Sequence, residues 1–317
     1  MPFRPTLLVA AAVYLAASPL SAQTAQYYDG VEWETPPKVD PGRTNSDAPS
    51  DAVVLFDGTD MSAFDGGENW ILKDGYVVAA KRSVATKQKF GSVQLHLEYA
   101  APPEDKGEGQ GRGNSGIYFM GGRYEVQVLD MYDNETYPYG QGGSVYKQIP
   151  PMVNPFRPPG AWNEYDVIFR APKFDLQGTL LEPARVTVMI NGVCVVEQYA
   201  LKGKTTFANA VPHYVAHPDK LPLVLQYHND PVRFRNIWIR ELEPPKGVRV
   251  DEPHFISGGV RVPYAPERPQ DDRVVEQARK QAKAAEEKRK KAEEAKRKAE
   301  RAAHEAEKAK REAAEAA

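Results

Sequence analysis

Between Val53 and Leu242 the chain alternates. Short runs of apolar and polar residues follow one another at a period of two, each run ends near Gly, Pro, Asn or Asp, and no stretch sustains the 3.6-residue period of a helix. A period of two sends successive side chains to opposite faces of a strand, so one face of each run is destined for a core. The runs are Tyr76–Ala79, Val93–Tyr99, Gly116–Met120, Arg123–Leu129, Glu164–Phe169, Arg185–Ile190, Val193–Gln198, Leu223–Tyr227 and Phe234–Arg240. Asp74-Gly75 and Asn191-Gly192 sit where a two-residue hairpin needs positive φ at both central positions. Many short strands joined by tight turns and long connections predict an all-β fold, an antiparallel two-sheet sandwich, over residues 53–242.

The flanks have other compositions. Arg4, the apolar run Leu7–Ala17 and the small residues of Pro19-Leu20-Ser21-Ala22 predict a signal peptide over residues 1–22, cleaved before Gln23. The apolar run is too short to span a bilayer, and no other run is longer, so the mature protein is expected in the periplasm or secreted, without a transmembrane segment. Residues 23–52 read as a polar leader. Residues 243–270 read as a Pro-rich linker, with Pro244, Pro245, Pro253, Pro263, Pro266 and Pro269 opposing a helix. Residues 271–317 contain no Pro or Gly and are mostly Ala, Glu, Lys and Arg, which predicts one long charged helix. Six Glu-to-Lys/Arg pairs at i,i+4 support it: Glu276–Lys280, Glu286–Lys290, Glu287–Lys291, Glu293–Arg297, Glu294–Lys298 and Glu307–Arg311. Alanines recur every seven residues from Ala278 to Ala313, a seam too small for a strong coiled coil. A solvated spacer, weak self-association through 271–317 and contact with an anionic envelope surface all stay open.

Charge and cysteine content exclude several functions. The tail carries 15 Lys and Arg against 12 Asp and Glu, and the rest of the chain nets −5, so nothing points to nucleic acid. A single cysteine, Cys194, rules out an internal disulfide framework, a Cys-cluster zinc site and a Cys-ligated iron–sulfur cluster. No Gly-x-Ser-x-Gly occurs. His213 and His217 are four apart, but Pro212 and Pro218 flank them and forbid the helix a zinc pair needs. The glycine run Gly107–Gly116 contains G-x-G-x-x-G, yet Ile117-Tyr118-Phe119 continues as a strand where a phosphate site needs a helix; residues 101–112 are read as a flexible loop. No cofactor is implied, although a divalent cation held by carboxylates and amides stays possible.

Alternation leaves three polar rows: Gln94, His96 and Glu98; Glu125 and Gln127; Gln226 and His228. They hold Glu, Gln and His and no Lys, a composition suited to hydrogen-bonding a ligand as well as to a solvated face. All three are expected to share one concave face. Glu98, Glu125 and His228 could then exchange protons. Asn114, Gln127, Gln226 and Arg235 could hold hydroxyls, and Trp70, Tyr118, Tyr132, Tyr146 and Trp162 could stack on a sugar ring.

Several ordered motifs resemble a known family. Leu55-Phe56-Asp57-Gly58-Thr59-Asp60 is similar to its "LF(N/D)G-x-(D/N)" opening, and Phe90–Glu98 to "FGDFELRLE". Asn114-Ser115-Gly116-Ile117-Tyr118-Phe119 matches "NSGIFF", Tyr124–Asp130 "YEVQILD", Gly143-Ser144-Val145-Tyr146 "GAIY" and Trp162-Asn163-Glu164-Tyr165 "WNTY". Ile190-Asn191-Gly192, Leu225-Gln226-Tyr227-His228 and Phe234-Arg235-Asn236-Ile237 continue the match. The family is the 3-keto-disaccharide hydrolase domain, also described as 3-keto-α-glucoside 1,2-lyase/3-keto-2-hydroxy-glucal hydratase. The resemblance implies a concanavalin-like jelly-roll β-sandwich over 53–242 and a carbohydrate substrate oxidised at carbon 3. It implies catalysis by Glu98, Glu125 and His228, and sugar binding by Asn114, Gln127, Asp130, Tyr146, Gln226 and Arg235. Ser92-Val93 in place of "DF", Ser144 in place of Ala and the long 101–112 loop depart from the pattern. A non-catalytic carbohydrate-binding module on the same fold and an envelope scaffold are the competing functions.

Overall fold

The computed structural model describes residues 26–104, 107–207, 211–257, 259–264, 276, 279–281 and 283–298; the expected signal peptide lies outside these. Two compact units result, Pro37–Pro244 and a second built from the flanks.

The first unit is the concanavalin-like jelly-roll sandwich. Its larger sheet runs, in hydrogen-bonded order, Val193–Ala200, Arg185–Ile190, Asn163–Arg170, Val93–Ala100, Arg233–Glu241, Tyr76–Val78 and Ile71–Lys73, with Val53–Phe56 also on Arg233–Glu241. The smaller sheet runs Tyr124–Val128, Ser115–Phe119, Val224–Leu225, Val84–Thr86 and Phe64–Asp65. Every pairing is antiparallel. The two predicted hairpins turn as their sequences require: Asp74 and Gly75 have φ 49° and 78°, Asn191 and Gly192 52° and 76°.

The apolar half of each alternating strand fills the space between the sheets. Val93, Leu95, Leu97 and Tyr99 from the larger sheet and Tyr124, Val126 and Val128 from the smaller are buried. Phe119 stacks on Phe169 across the sandwich with ring centroids 4.4 Å apart, and Tyr124 lies 5.9 Å from the same ring. Burying side chains of this size stabilises the fold by about 1.5–3 kcal/mol each.

This packing corrects the expectation of one shared polar face. Because Leu97 and Tyr99 point inward on the larger sheet, Glu98 points outward from it; because Tyr124 and Val126 point inward on the smaller sheet, Glu125 points outward from that one. Glu98 and Glu125 therefore face apart. The Gln94–His96–Glu98 row belongs to the outside of the larger sheet.

Residues 109–112 of the loop before Ser115 are tied by hydrogen bonds to residues 130–140. Gly109 N donates to Asn134 Oδ1 (2.7 Å), Arg112 Nε to Asp130 Oδ2 (2.7 Å), and Gln110 Nε2 to Thr136 Oγ1 (3.0 Å) and Gly140 O (2.8 Å). The leader and the Pro-rich linker contribute strands. In the second unit Val31–Trp33 pairs with Gly247–Arg249, and Gln26–Tyr28 with His254–Ser257, which pairs in turn with Val260–Pro263. Residues 283–298 are α-helical, with ion pairs Glu286–Lys290 (3.0 Å) and Glu294–Lys298 (3.5 Å) at i,i+4. Among the described residues no helix is long and apolar enough to cross a membrane.

Candidate active site

The outer face of the smaller sheet gathers the polar groups. Register places Glu125 opposite Tyr118 and Gln127 opposite Gly116, so all four share that face. Gln226 joins from just past the neighbouring strand Val224–Leu225, its N–H on the Gly116 carbonyl (2.9 Å) and its own carbonyl accepting from Ser115 Oγ (2.6 Å). On the other side an isolated bridge pairs Val126 with Val145, and Tyr146 N donates to the Glu125 carbonyl (3.3 Å), which sets Tyr146 beside Glu125.

Glu125 is 3% exposed. The Tyr118 hydroxyl is hydrogen-bonded to its carboxyl and accepts from Gln226 Nε2 (3.2 Å). Gln127 donates to Gln110 Oε1 (2.9 Å) in one amide orientation; in the reversed one it donates to Glu125 Oε1 (3.3 Å) and Ser115 O (2.9 Å). Glu125 Oε2 is buried with no hydrogen-bond partner. Burial pushes the Glu125 carboxyl up to about 8, with the Tyr118 hydrogen bond pulling the other way. The Tyr118 hydroxyl is raised as well, first by burial and then by the Glu125 charge. A side chain at 116 would crowd the site. A Cβ there would stand 2.7 Å from Tyr118 Cε2, 3.0 Å from Glu125 Oε1 and 3.3 Å from Gln226 Oε1.

Tyr146 brings a second tyrosine and a lysine with it. The hydroxyls of Tyr137 and Tyr146 are 2.5 Å apart. Lys147 Nζ lies 5.9 and 5.8 Å from the centroids of those two rings and donates to the Phe207 carbonyl (2.7 Å). Tyr146 and Gln226 are half-buried, whereas His228 is exposed and lies beyond the end of the strand Val224–Leu225, so strand alternation does not assign it to this face.

The expected site residues therefore divide. Glu125, Gln127, Gln226 and Tyr146 come together. Asn114 supports them from behind: its N–H donates to Asp230 Oδ2 and its side chain to the Gln110 carbonyl, both 2.7 Å. Asp130 is buried and committed to Arg112 (2.7 Å) and to Tyr132 N–H (3.0 Å), a brace for the loop that carries Gln110. Glu98 and Arg235 form their own ion pair on the larger sheet (2.6 Å), capped by Trp162 with the Arg235 guanidinium 4.3 Å above its ring. His96, beside them, bonds Asp166 (2.8 Å) and stacks on Trp238. Trp70 packs on Phe234 in the core. Sequence reading missed Gln110, Tyr137 and Lys147, which lie in loops where no periodicity assigns a face. Tyr118 it took only for an aromatic surface, although alternation with Ile117 and Phe119 already put its hydroxyl on the Glu125 side. Among the described residues no group of three or more His, Cys, Asp or Glu side chains could hold a metal ion.

A family profile described as the 3-keto-alpha-glucoside-1,2-lyase-like domain matches residues 51–240. A crystal structure from Parabacteroides distasonis ATCC 8503, provisionally described as a glycosyl hydrolase, is 44% identical, with 66% of this chain and 93% of that one covered and a TM-score of 0.63. A second structure from the same organism with the same description is 22% identical over 60% of this chain and 99% of that one, with a TM-score of 0.46. No curated protein matches the chain.

Proposed function

The chain belongs to the 3-keto-alpha-glucoside-1,2-lyase-like domain family, and from that premise we propose that it is an exported carbohydrate-active enzyme that cleaves 3-keto-glycosides by elimination and rehydration, with Glu125 as the proton-transfer group. The observation that carries this reading is the state of Glu125: one carboxyl oxygen is buried and unpartnered, and the group titrates near 8, where a carboxyl can both take and return a proton at working pH.

A ketone at carbon 3 acidifies the hydrogen on carbon 2. Glu125, as carboxylate, takes that proton, and the electron pair is delocalised onto the ketone oxygen as an enolate. The enolate collapses to a double bond between carbons 1 and 2 and expels the glycosidic oxygen. Water then adds to carbon 1 of the enone while Glu125 returns its proton to carbon 2, so the sum is hydrolysis. Tyr118 fixes the carboxyl in one orientation and Gln226 fixes Tyr118. The amides of Gln127 and Gln226 are the donors and acceptors for sugar hydroxyls. Exposed His228 exchanges protons between this face and solvent. Glu98 and Arg235, on the opposite sheet, have no part in the step.

Purified protein is assayed with 3-keto-trehalose and 3-keto-glucosides. Turnover is expected, and Glu125→Gln should lower it ~10²–10⁴-fold, the usual weight of one acid–base group. His228→Ala should cost less. Binding of these sugars without turnover would identify a carbohydrate-binding module instead, and an unimpaired Glu125→Gln enzyme would remove Glu125 from the chemistry.

A further inference from the structure

The proposed reaction leaves one proton unassigned. When the glycosidic oxygen leaves carbon 1 it needs a proton, and Glu125 is at that moment holding the one from carbon 2. We infer that the Tyr146 hydroxyl supplies it, positioned by Tyr137 and Lys147; this rests on the elimination reading above.

Three observations lead to Tyr146. It flanks Glu125 on the side opposite Tyr118: the Val126–Val145 bridge and the Tyr146 N–H on the Glu125 carbonyl put both side chains on one face. Its hydroxyl has a hydroxyl partner at 2.5 Å, Tyr137. With Tyr137 as donor, the Tyr146 proton is free to be given away and the oxygen left behind already has a hydrogen bond. A cation also stands close, Lys147 Nζ, 5.8 Å from the Tyr146 ring centroid and anchored by the Phe207 carbonyl. A developing phenolate there is stabilised by the donor and by the charge. Tyr118 cannot do the same work, because its hydroxyl is already engaged by Glu125 and Gln226.

The protons balance over the cycle. In the elimination, the Glu125 carboxylate gains the carbon-2 proton, the carbon 1–oxygen bond breaks, and the Tyr146 O–H bond breaks as the departing oxygen becomes an alcohol. In the hydration, water forms the new bond to carbon 1 and gives its proton to the Tyr146 phenolate, while Glu125 protonates carbon 2. Both groups end as they began. Tyr146 is thus catalytic, and Tyr137 and Lys147 are positioning residues.

The leaving group tests this. Methyl and 4-nitrophenyl 3-keto-glucosides are compared in single turnovers, following methanol and nitrophenol release, which report the elimination alone. Nitrophenol is a stronger acid than tyrosine and departs without help. Tyr146→Phe should therefore lose ~10²–10⁴-fold on the methyl glycoside and less than about tenfold on the nitrophenyl glycoside. Retained nitrophenol release also shows that the variant folds. Tyr137→Phe should show the same bias in smaller measure. Equal losses on the two substrates in either variant, or no loss on the methyl glycoside, would overturn the assignment to Tyr146. Wild-type protein that cleaves neither substrate would instead sink the elimination reading on which it depends.

Discussion

Glu125 enters the folded state on terms that depend on pH. In an unfolded chain its carboxyl titrates near the ordinary 4.5; in the fold, burial raises it to about 8. Between those values the folded protein holds a proton that the unfolded chain has released. The stabilising contribution is complete below about 4.5 and is lost as pH rises towards 8, with a slope of at most about 1.4 kcal/mol per pH unit. Thermal melting of the wild type should therefore decline across this window by more than that of Glu125→Gln, and above pH 8 the variant should be the more stable of the two. Parallel melting curves for both proteins would mean that Glu125 is not raised in this way. Activity follows the other sign. The carboxylate that takes the carbon-2 proton becomes populated as pH rises, so the elimination rate should climb to about pH 8 and then level off.

Strands explain both what could be read in advance and what could not. Nine runs of period two became nine strands because each has one face in the core, and Asp74-Gly75 and Asn191-Gly192 became hairpins because their conformations are positive-φ ones. Phe64–Asp65 and Val84–Thr86 are too short to display a period. Alternation gives a side chain's face but not the sheet a strand joins, since that depends on partners far along the chain. Val93–Ala100 pairs with Asn163–Arg170 and Arg233–Glu241, and Ser115–Phe119 with Val224–Leu225. Glu98 and Glu125 therefore looked alike in sequence and lie on opposite outer faces. The same register makes Gly116 a sharp test. Its place opposite Gln127 and between Tyr118, Glu125 and Gln226 means that a methyl group there would displace the Tyr118 ring. Gly116→Ala should push the Tyr118 ring away from the carboxyl, lowering turnover by tenfold or more, while overpacking costs ~1–3 kcal/mol of stability. Unaltered turnover in a folded Gly116→Ala protein would show that the Tyr118–Glu125 contact is dispensable.

At the scale of the whole molecule, we propose that the charged tail is separable from the chemistry. The Glu125 cluster is built within Pro37–Pro244, and among the described residues every strand pairing of the leader and linker ends by Pro263, before the tail begins at Asp271. Residues 287–298 of the helix are exposed, and ion pairs such as Glu286–Lys290 lie along its own surface, where each adds only ~0.2–0.5 kcal/mol to the helix. Its alanine seam has little to bury: a methyl-sized group contributes ~0.8 kcal/mol, against an association cost of ~4 kcal/mol or more. We propose that the tail is a spacer whose self-association is at most weak. Deleting residues 271–317 should leave turnover of a 3-keto-glycoside and the melting of the sandwich unchanged while reducing the frictional ratio in sedimentation. A tight full-length dimer that becomes monomeric on truncation would make the alanine seam a true interface. Turnover lost on truncation would make the helix part of the enzyme, whatever its distance from Glu125 along the chain.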